Sequence, residues 1–326
     1  MLKVLSATLV ALVIGMVAGP RFIRWLSRRG IGQNIRELGP KAHSVKAGTP
    51  TMGGLLLLAA TLIPYLIFAT KTVPTLVVIV LALGGGMIGF ADDFMSQWRQ
   101  RSLGLSARFK LLLMLPVFGV ALWLATKYGG VDTRLSVPFV RAGLEIGWFY
   151  YIFAFLFIVG FTNAVNLTDG LDGLAAGTAG IALFAYAGIA FLQGKYDLAT
   201  LGACFTGACV GFLWYNTHPA TVFMGDTGSL ALGGAVAGMA IATNMEILLF
   251  LVGGLFVLEA LSVTIQVFSF RVFHRRVFLM APIHHHFELK GWSETKIIVR
   301  FWIISAILAA AGFALYYLSN TRISGG

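Results

Sequence analysis

The sequence predicts an all-α polytopic membrane protein with about ten transmembrane helices, and three observations support this. Hydrophobic residues make up 58% of the 326 residues and charged residues only 11%, whereas a typical soluble domain has roughly 25% charged residues. Apolar runs long enough to cross a hydrocarbon core of ~30 Å recur along the whole chain. These runs do not alternate as the strands of a membrane β-barrel do.

Taken in chain order, the apolar runs predict ten spans, so the chain would end on the side where it begins. The predicted spans are 2–19, 51–70, 75–94, 109–126, 147–165, 173–192, 198–216, 229–245, 247–270 and 299–318. Between spans four and five, residues 128–146 show short alternating runs and a proline, which predict a small external hairpin. No linker separates two domains, so residues 1–326 are predicted to form a single integral membrane domain.

Lysine and arginine set the predicted orientation. Lys3 stands at the outer end of the first span, and four arginines closely follow its inner end. The positive-inside rule therefore places both termini outside and keeps this segment as an anchor. The predicted inner loops, together with Lys110 and Arg300 at adjoining helix ends, contain 17 of the 24 lysines and arginines. These loops account for the net charge of +11 without nucleic-acid binding. An anionic substrate on the inner side is a second, compatible interpretation.

Polar residues that interrupt the apolar pattern lie almost entirely in the predicted inner segments. Five motifs carry them: GTPTMGG (48–54), GFADDF (89–94), NAVNLTDGLDG (163–173), WYNTHPATVFMGDTGS (214–229) and APIHHHFELKGW (281–292). Ionisable groups at membrane depth are costly and usually functional. A transporter is the weaker alternative, because its polar residues should lie near the midplane. Glu259 in span nine is the main exception to the one-sided pattern.

The carboxylates in these motifs predict a magnesium site. Asp92 and Asp93 are adjacent, so on a helix they point about 100° apart and cannot share one role. Two acids at a helix C-terminus also call for a nearby cation. Asp226 lies between glycines, which allow close backbone approach, and it is a candidate ligand of Mg²⁺. A solvated helix end and an ordinary turn are the alternatives.

The motif NAVNLTDGLDG (163–173) is expected to contact a ligand. Asn163, Asn166, Asp169 and Asp172 recur every three residues, and glycines after both acids predict that one helix ends at the amides while the acids begin the next. Simple helix capping is the alternative.

The histidine triplet His284–His286 is predicted to lie on an extended inner loop, where its residues would point in different directions and would not suit zinc. Histidine can donate hydrogen bonds to phosphate oxygens, although a solvated loop is the alternative. Carboxylates, histidines, Lys46 and Lys110 together suit phosphoryl transfer. No P-loop or kinase glycine loop is present, so ATP is not predicted.

The five motifs, in this order and over the full length, resemble the polyprenyl-phosphate N-acetylhexosamine-1-phosphate transferase family. The sequence PIHHHFE favours the branch that acts on UDP-MurNAc-pentapeptide, and a UDP-GlcNAc transferase is the alternative. The resemblance implies transfer of the phospho-sugar to undecaprenyl phosphate, giving lipid I and UMP for peptidoglycan synthesis. It also implies Mg²⁺, a homodimer surrounded by membrane lipid, and a cleft on the cytoplasmic side of the bacterial cytoplasmic membrane.

The resemblance implies residue roles as well. Asp226 would hold Mg²⁺, Asp92 or Asp93 would act as base or nucleophile, and His285 would be a further catalytic residue. The implied substrate-binding residues are Lys46, Lys110, Asn166, Asp169, Asp172, Asn216, Phe223 (stacked on uracil), His284 and His286. Many members have lysine where Ser96 stands here, so Arg99 or Lys110 is expected to supply that charge.

Overall fold

The computed structural model describes residues 1–32, 48–99, 104–140 and 143–324. These ranges contain twelve helices and one short hairpin. The helices are α1 (Leu2–Arg28), α2 (Gly54–Phe68), α3 (Val73–Trp98), α4 (Ala107–Tyr128), α5 (Phe149–Thr168), α6 (Leu174–Leu192), α7 (Tyr196–Asn216), α8 (Gly225–Ala242), α9 (Glu246–Val252), α10 (Gly254–Phe273), α11 (Ile283–Leu289) and α12 (Glu294–Ser324).

Eight helices in the described ranges are long and apolar enough to cross a membrane: α1, α3, α4, α5, α6, α7, α10 and α12. The prediction of an all-α polytopic membrane protein is therefore confirmed. The other two predicted spans correspond to α2, with 15 residues, and α8, with 18 residues. Because 16 residues of α8 are buried, this glycine- and alanine-rich helix contacts other helices on all sides.

Helices α3 and α8 pack backbone against backbone. A Cβ atom added at Gly85 would overlap the carbonyl of Leu230, and one added at Gly89 would overlap the carbonyl of Asp226. Small residues permit this close approach of helices in a membrane. The packing fixes the end of α3 that carries Asp92 against the first turn of α8.

The hairpin predicted between the fourth and fifth spans is present. Strand β1 (Arg134–Leu135) pairs antiparallel with β2 (Leu144–Glu145), with Arg134 opposite Glu145 and Leu135 opposite Leu144. Leu135 is buried against the helices, so one apolar side chain anchors the hairpin to the bundle.

Three local predictions need correction. Span nine is not continuous, because α9 and α10 are separated at Gly253. The histidine segment is a short helix, α11, rather than an extended loop; Pro282 directly precedes it, where a missing N–H costs nothing. Helix α5 does end just after the amides, but Asp169 and Asp172 lie in the turn before α6 rather than in its first turn.

Candidate active site

Three predicted carboxylates meet where α3 ends and α8 begins. Oxygen atoms of Asp92, Asp93 and Asp226 all lie within 4.8 Å of one another. The α3–α8 backbone packing brings them together, although Asp226 is more than a hundred residues away from the other two in sequence. We call these three residues the carboxylate cluster.

Asp93 caps helix α8. Its Oδ1 accepts the backbone N–H of Asp226 at 3.1 Å, and its Oδ2 accepts the backbone N–H and the hydroxyl of Thr227 at 3.0 and 2.6 Å. These groups are otherwise unpaired at a helix start, where the helix dipole also favours a negative charge. Asp93 is therefore tied to its neighbouring helix.

Lys110 supplies the positive charge of the cluster. Its Nζ lies 3.1 Å from Oδ1 of Asp92 and 2.5 Å from Oδ2 of Asp226. Asp92 also accepts the backbone N–H of Leu105 at 2.6 Å. Of the two basic residues expected to compensate for Ser96, the structure places Lys110 at the acids, whereas Arg99 is exposed at the end of α3.

Asn166 joins α5 to the cluster. Its Nδ2 donates to Oδ1 of Asp226 at 2.9 Å and to Oγ of Ser229 at 2.8 Å. The Asp226 side chain is nevertheless 26% exposed. A hard cation such as Mg²⁺ prefers oxygen ligands, typically one or two carboxylates together with water and substrate phosphate. The carboxylate cluster offers this donor set, so these residues fit Mg²⁺.

The three histidines of α11 contact different partners. His284 is buried, and its Nδ1 lies 3.1 Å from Oε2 of Glu259. His285 pairs with Glu288, one turn along α11. His286 accepts the backbone N–H of Leu279 at 3.1 Å. Glu259, the exception to the one-sided polar pattern, thus belongs to the histidine region.

His286 is suited to form hydrogen bonds as an uncharged imidazole. Partial desolvation and the positive charge of Lys290 lower its pKa below the usual value. A lowered pKa favours the uncharged imidazole, which agrees with Nδ1 acting as an acceptor. A neutral imidazole can still donate one hydrogen bond from its other nitrogen.

Sequence reasoning missed two polar residues that organise this end of the molecule, His218 and Glu294. His218 Nδ1 lies 3.0 Å from Oδ2 of Asp172 and 3.3 Å from Oε2 of Glu294. Glu294 also accepts the backbone N–H of Asp172 at 2.9 Å. These contacts join the α5–α6 turn, the α7–α8 loop and the start of α12. His218 lies within the motif WYNTHPATVFMGDTGS, and Glu294 follows the motif APIHHHFELKGW by two residues.

The remaining predicted residues differ in exposure. Asn216 is buried and holds the α7–α8 loop by donating to the carbonyl of Val222 at 2.9 Å. Phe223 is half-buried, and its backbone N–H donates to the carbonyl of Pro50 at 2.7 Å. Asp169 is half-buried at the end of α5. Lys46 lies outside the described residues.

Known proteins resemble this chain closely. The glycosyl transferase family 4 model matches residues 75–244, and phospho-N-acetylmuramoyl-pentapeptide-transferase signature 1 matches residues 46–58. The chain is 47% identical over 323 residues to the phospho-N-acetylmuramoyl-pentapeptide-transferase of Rubrobacter xylanophilus, covering 97% of this chain and 98% of that protein. Proteins of the same name from Geobacillus sp. WCH70 and Desulfitobacterium hafniense are each 46% identical, covering 94% and 96% of this chain and 95% and 98% of their own lengths.

Proposed function

The chain belongs to the phospho-N-acetylmuramoyl-pentapeptide-transferase family, a group of glycosyl transferase family 4, and from this premise we propose its reaction. The enzyme transfers phospho-MurNAc-pentapeptide from UDP-MurNAc-pentapeptide to undecaprenyl phosphate. An oxygen of the lipid phosphate bonds to the sugar-linked phosphorus, and the bond from that phosphorus to the bridging oxygen breaks. The products are lipid I and UMP.

The observation that supports this proposal best is the carboxylate cluster with Lys110 between two of its members. Phosphoryl transfer depends mainly on positioning and charge neutralisation. Asp226 would be the main ligand of Mg²⁺, and a bound Mg²⁺ would polarise the diphosphate and neutralise its charge. Lys110 would help hold the phosphates, since its ammonium already bridges Asp92 and Asp226.

Asp92 is the better candidate for the base. Asp93 uses both carboxylate oxygens to cap α8, whereas the Asp92 side chain contacts Lys110 and the backbone of Leu105. Asp92 would accept a proton from the lipid phosphate as its oxygen attacks. His285 and His286 would contact the phosphates or sugar as hydrogen-bonding groups.

The reaction partners also suit the position of the site at one end of the bundle. A lipid acceptor requires access from the membrane, and a soluble anionic nucleotide requires access from the side with the basic loops. We therefore place the site on the cytoplasmic side of the bacterial cytoplasmic membrane. The homodimer stays a prediction from family resemblance.

UMP release by the purified protein tests the proposal. UDP-MurNAc-pentapeptide and UDP-GlcNAc are offered separately, each with undecaprenyl phosphate and Mg²⁺. We expect UMP release only with the first sugar and loss of release when EDTA removes the metal. Preferential use of UDP-GlcNAc would instead support the alternative transferase, and activity without undecaprenyl phosphate would contradict the proposed acceptor.

A further inference from the structure

Glu259 and His284 form a buried pair that joins the histidine helix to a membrane helix. Glu259 lies in the second turn of α10 and His284 is the second residue of α11. Their side chains are both 0% exposed, and Nδ1 of the histidine lies 3.1 Å from Oε2 of the glutamate. Neither residue can reach a ligand in solution without first being uncovered.

The surroundings of the pair are apolar. A satellite core formed by α6, α10, α12 and the α5–α6 turn lies beside it, and Ile283 and Phe287 of α11 pack against this core. Leu255 belongs to the core and precedes Glu259 by one helical turn, hence on the same face. A buried hydrogen-bonded pair in such a place is often no more stable than apolar residues of similar size. Stability alone therefore does not account for the pair.

The hydrogen bond between His284 and Glu259 can fix the orientation of α11, which apolar contacts alone cannot do. Hydrophobic burial is non-directional, so a seven-residue helix held only by Ile283 and Phe287 could rotate or slide. The bond between His284 and Glu259 is directional and selects one position. It thereby sets where the next two histidines, His285 and His286, are presented.

The other edge of the imidazole touches a second part of the site. A Cβ atom added at Gly170 would overlap Nε2 of His284, so the ring lies directly on the backbone of the α5–α6 turn. This turn carries Asp169 and Asp172. Within the described part of the chain, Nε2 of His284 and Oε1 of Glu259 are buried without a hydrogen-bond partner, which leaves the single bond between the two residues to orient the ring.

We propose that Glu259 is a positioning residue for the nucleotide-sugar site. Through His284 it holds α11 and the α5–α6 turn in one arrangement, so that His285, His286 and Asp169 face the substrate together. Glu259 itself contacts no substrate, and His284 acts as the connecting group instead of a substrate ligand. The substrate assignment rests on the proposed function, whereas the mechanical role of the pair does not.

The mechanical role is tested with a nitroxide label on α11. Leu289→Cys places the label at a residue that is 51% exposed, in a chain whose buried Cys204 and Cys209 are replaced by alanine. Glu259→Leu should make the label more mobile in electron paramagnetic resonance spectra. Glu259→Gln should leave it near the starting mobility, because an amide oxygen can still accept from Nδ1. Equal mobility in all three proteins would overturn the proposal.

Glu246→Leu is the matched control. Glu246 is also 0% exposed and also accepts a hydrogen bond, from the Tyr150 hydroxyl at 2.6 Å, but it lies beyond the far end of α8. Its replacement should leave the label on α11 unchanged. If Glu246→Leu mobilised the label as much as Glu259→Leu, general loosening of the protein would explain the effect and the proposal would fail.

Kinetics then test the link to the substrate. Misplacing site groups by about 1 Å can cost ~100-fold in rate, so Glu259→Leu should raise KM for UDP-MurNAc-pentapeptide or lower kcat by on the order of 10- to 100-fold. KM for undecaprenyl phosphate should stay unchanged, and Glu259→Gln should restore most of the activity. An equal rise in both KM values, or no change in either kcat or KM for UDP-MurNAc-pentapeptide, would overturn the positioning role at the nucleotide site. Should the unaltered enzyme use another substrate, the label experiment would still decide the mechanical role.

Discussion

Asp92 and Asp93 show how two neighbouring residues of the same type acquire different roles. They point about 100° apart on α3, so Asp93 contacts the start of α8 while Asp92 contacts Lys110.

Asp93→Ala should remove the cap and destabilise the protein by ~1 kcal/mol or more. Asp92→Asn should leave the melting temperature nearly unchanged but reduce UMP release by ~100-fold or more, as expected for a lost base. Thermal unfolding in detergent and the transfer assay separate the two; a stable but inactive Asp93→Ala protein would reverse the assignment.

Asp226 is expected to be the most metal-sensitive residue. Asp226→Asn keeps the shape of the side chain and its position beside Lys110 and Asn166 but removes one negative charge. Because 1.36 kcal/mol corresponds to a factor of ten and a Lewis acid contributes several kcal/mol, we expect a loss of ~100-fold or more. UMP release is measured against Mg²⁺ concentration, with the exposed hairpin variant Asp132→Asn as control. A near-normal rate with an unchanged Mg²⁺ midpoint would remove Asp226 from the metal site.

Lys110 should matter far more than another lysine of the same helix. Lys110→Ala leaves Asp92 and Asp226 facing each other without their shared cation, and it removes a group expected to hold phosphate. Lys127→Ala, in the last turn of α4, is the matched control at the other end. Activity should fall strongly only in the first variant. Small, equal losses would show that the compensating charge comes from elsewhere.

Residues of the site were predictable where their type is rare in the surrounding sequence. Carboxylates and amides such as Asp226 and Asn166 stand out among apolar residues, and motif order then suggested that they meet. The separate roles of Asp92 and Asp93 could not be assigned from the sequence, because they depend on which helix packs beside α3. His218 and Glu294 were missed because each is unremarkable until the fold places them beside Asp172.

At the scale of elements, hydropathy located the spans but not their interruptions. The helix break at Gly253 lies within a run that is apolar on both sides, so hydropathy does not predict it. Helix α11 is also short, and isolated helices of seven residues are not stable in water. It forms because Phe287 and Ile283 pack on the satellite core, a tertiary contact that local sequence does not reveal.

The packing of α3 on α8 should tolerate no additional atom. Gly89→Ala would place a methyl group on the backbone of Asp226, forcing the helices apart and displacing the carboxylate cluster. We expect a lower melting temperature and a large loss of UMP release. Gly119→Ala is the matched control, because nothing lies within 4 Å of its added Cβ and alanine is the better helix former by ~1 kcal/mol. Similar behaviour of the two variants would contradict the close-packing argument.

For the whole molecule, the decisive feature is that separate helices carry their polar residues to one end. The end of α3, the end of α5, the start of α8 and the segment leading to α12 all contribute to the candidate site. Glu246, the buried carboxylate at the start of α9, lies at the opposite end and pairs with Tyr150. This arrangement favours an interfacial enzyme over a transporter, whose substrate site should lie near the bilayer midplane.

The orientation of this end in the cell is the final prediction. The basic loops predict that it faces the cytoplasm, where a soluble nucleotide sugar would be found. Single cysteines are placed at exposed positions, in a chain whose Cys204 and Cys209 are replaced by alanine. Gly30, Pro219 and Gly291 mark the site end, and Asp132 and Tyr196 mark the other end. A membrane-impermeant thiol reagent added to intact cells should label only the second set, and labelling both sets after lysis controls for reactivity. Labelling of Gly291→Cys in intact cells would place the histidine helix outside and rule out a cytoplasmic substrate for this site.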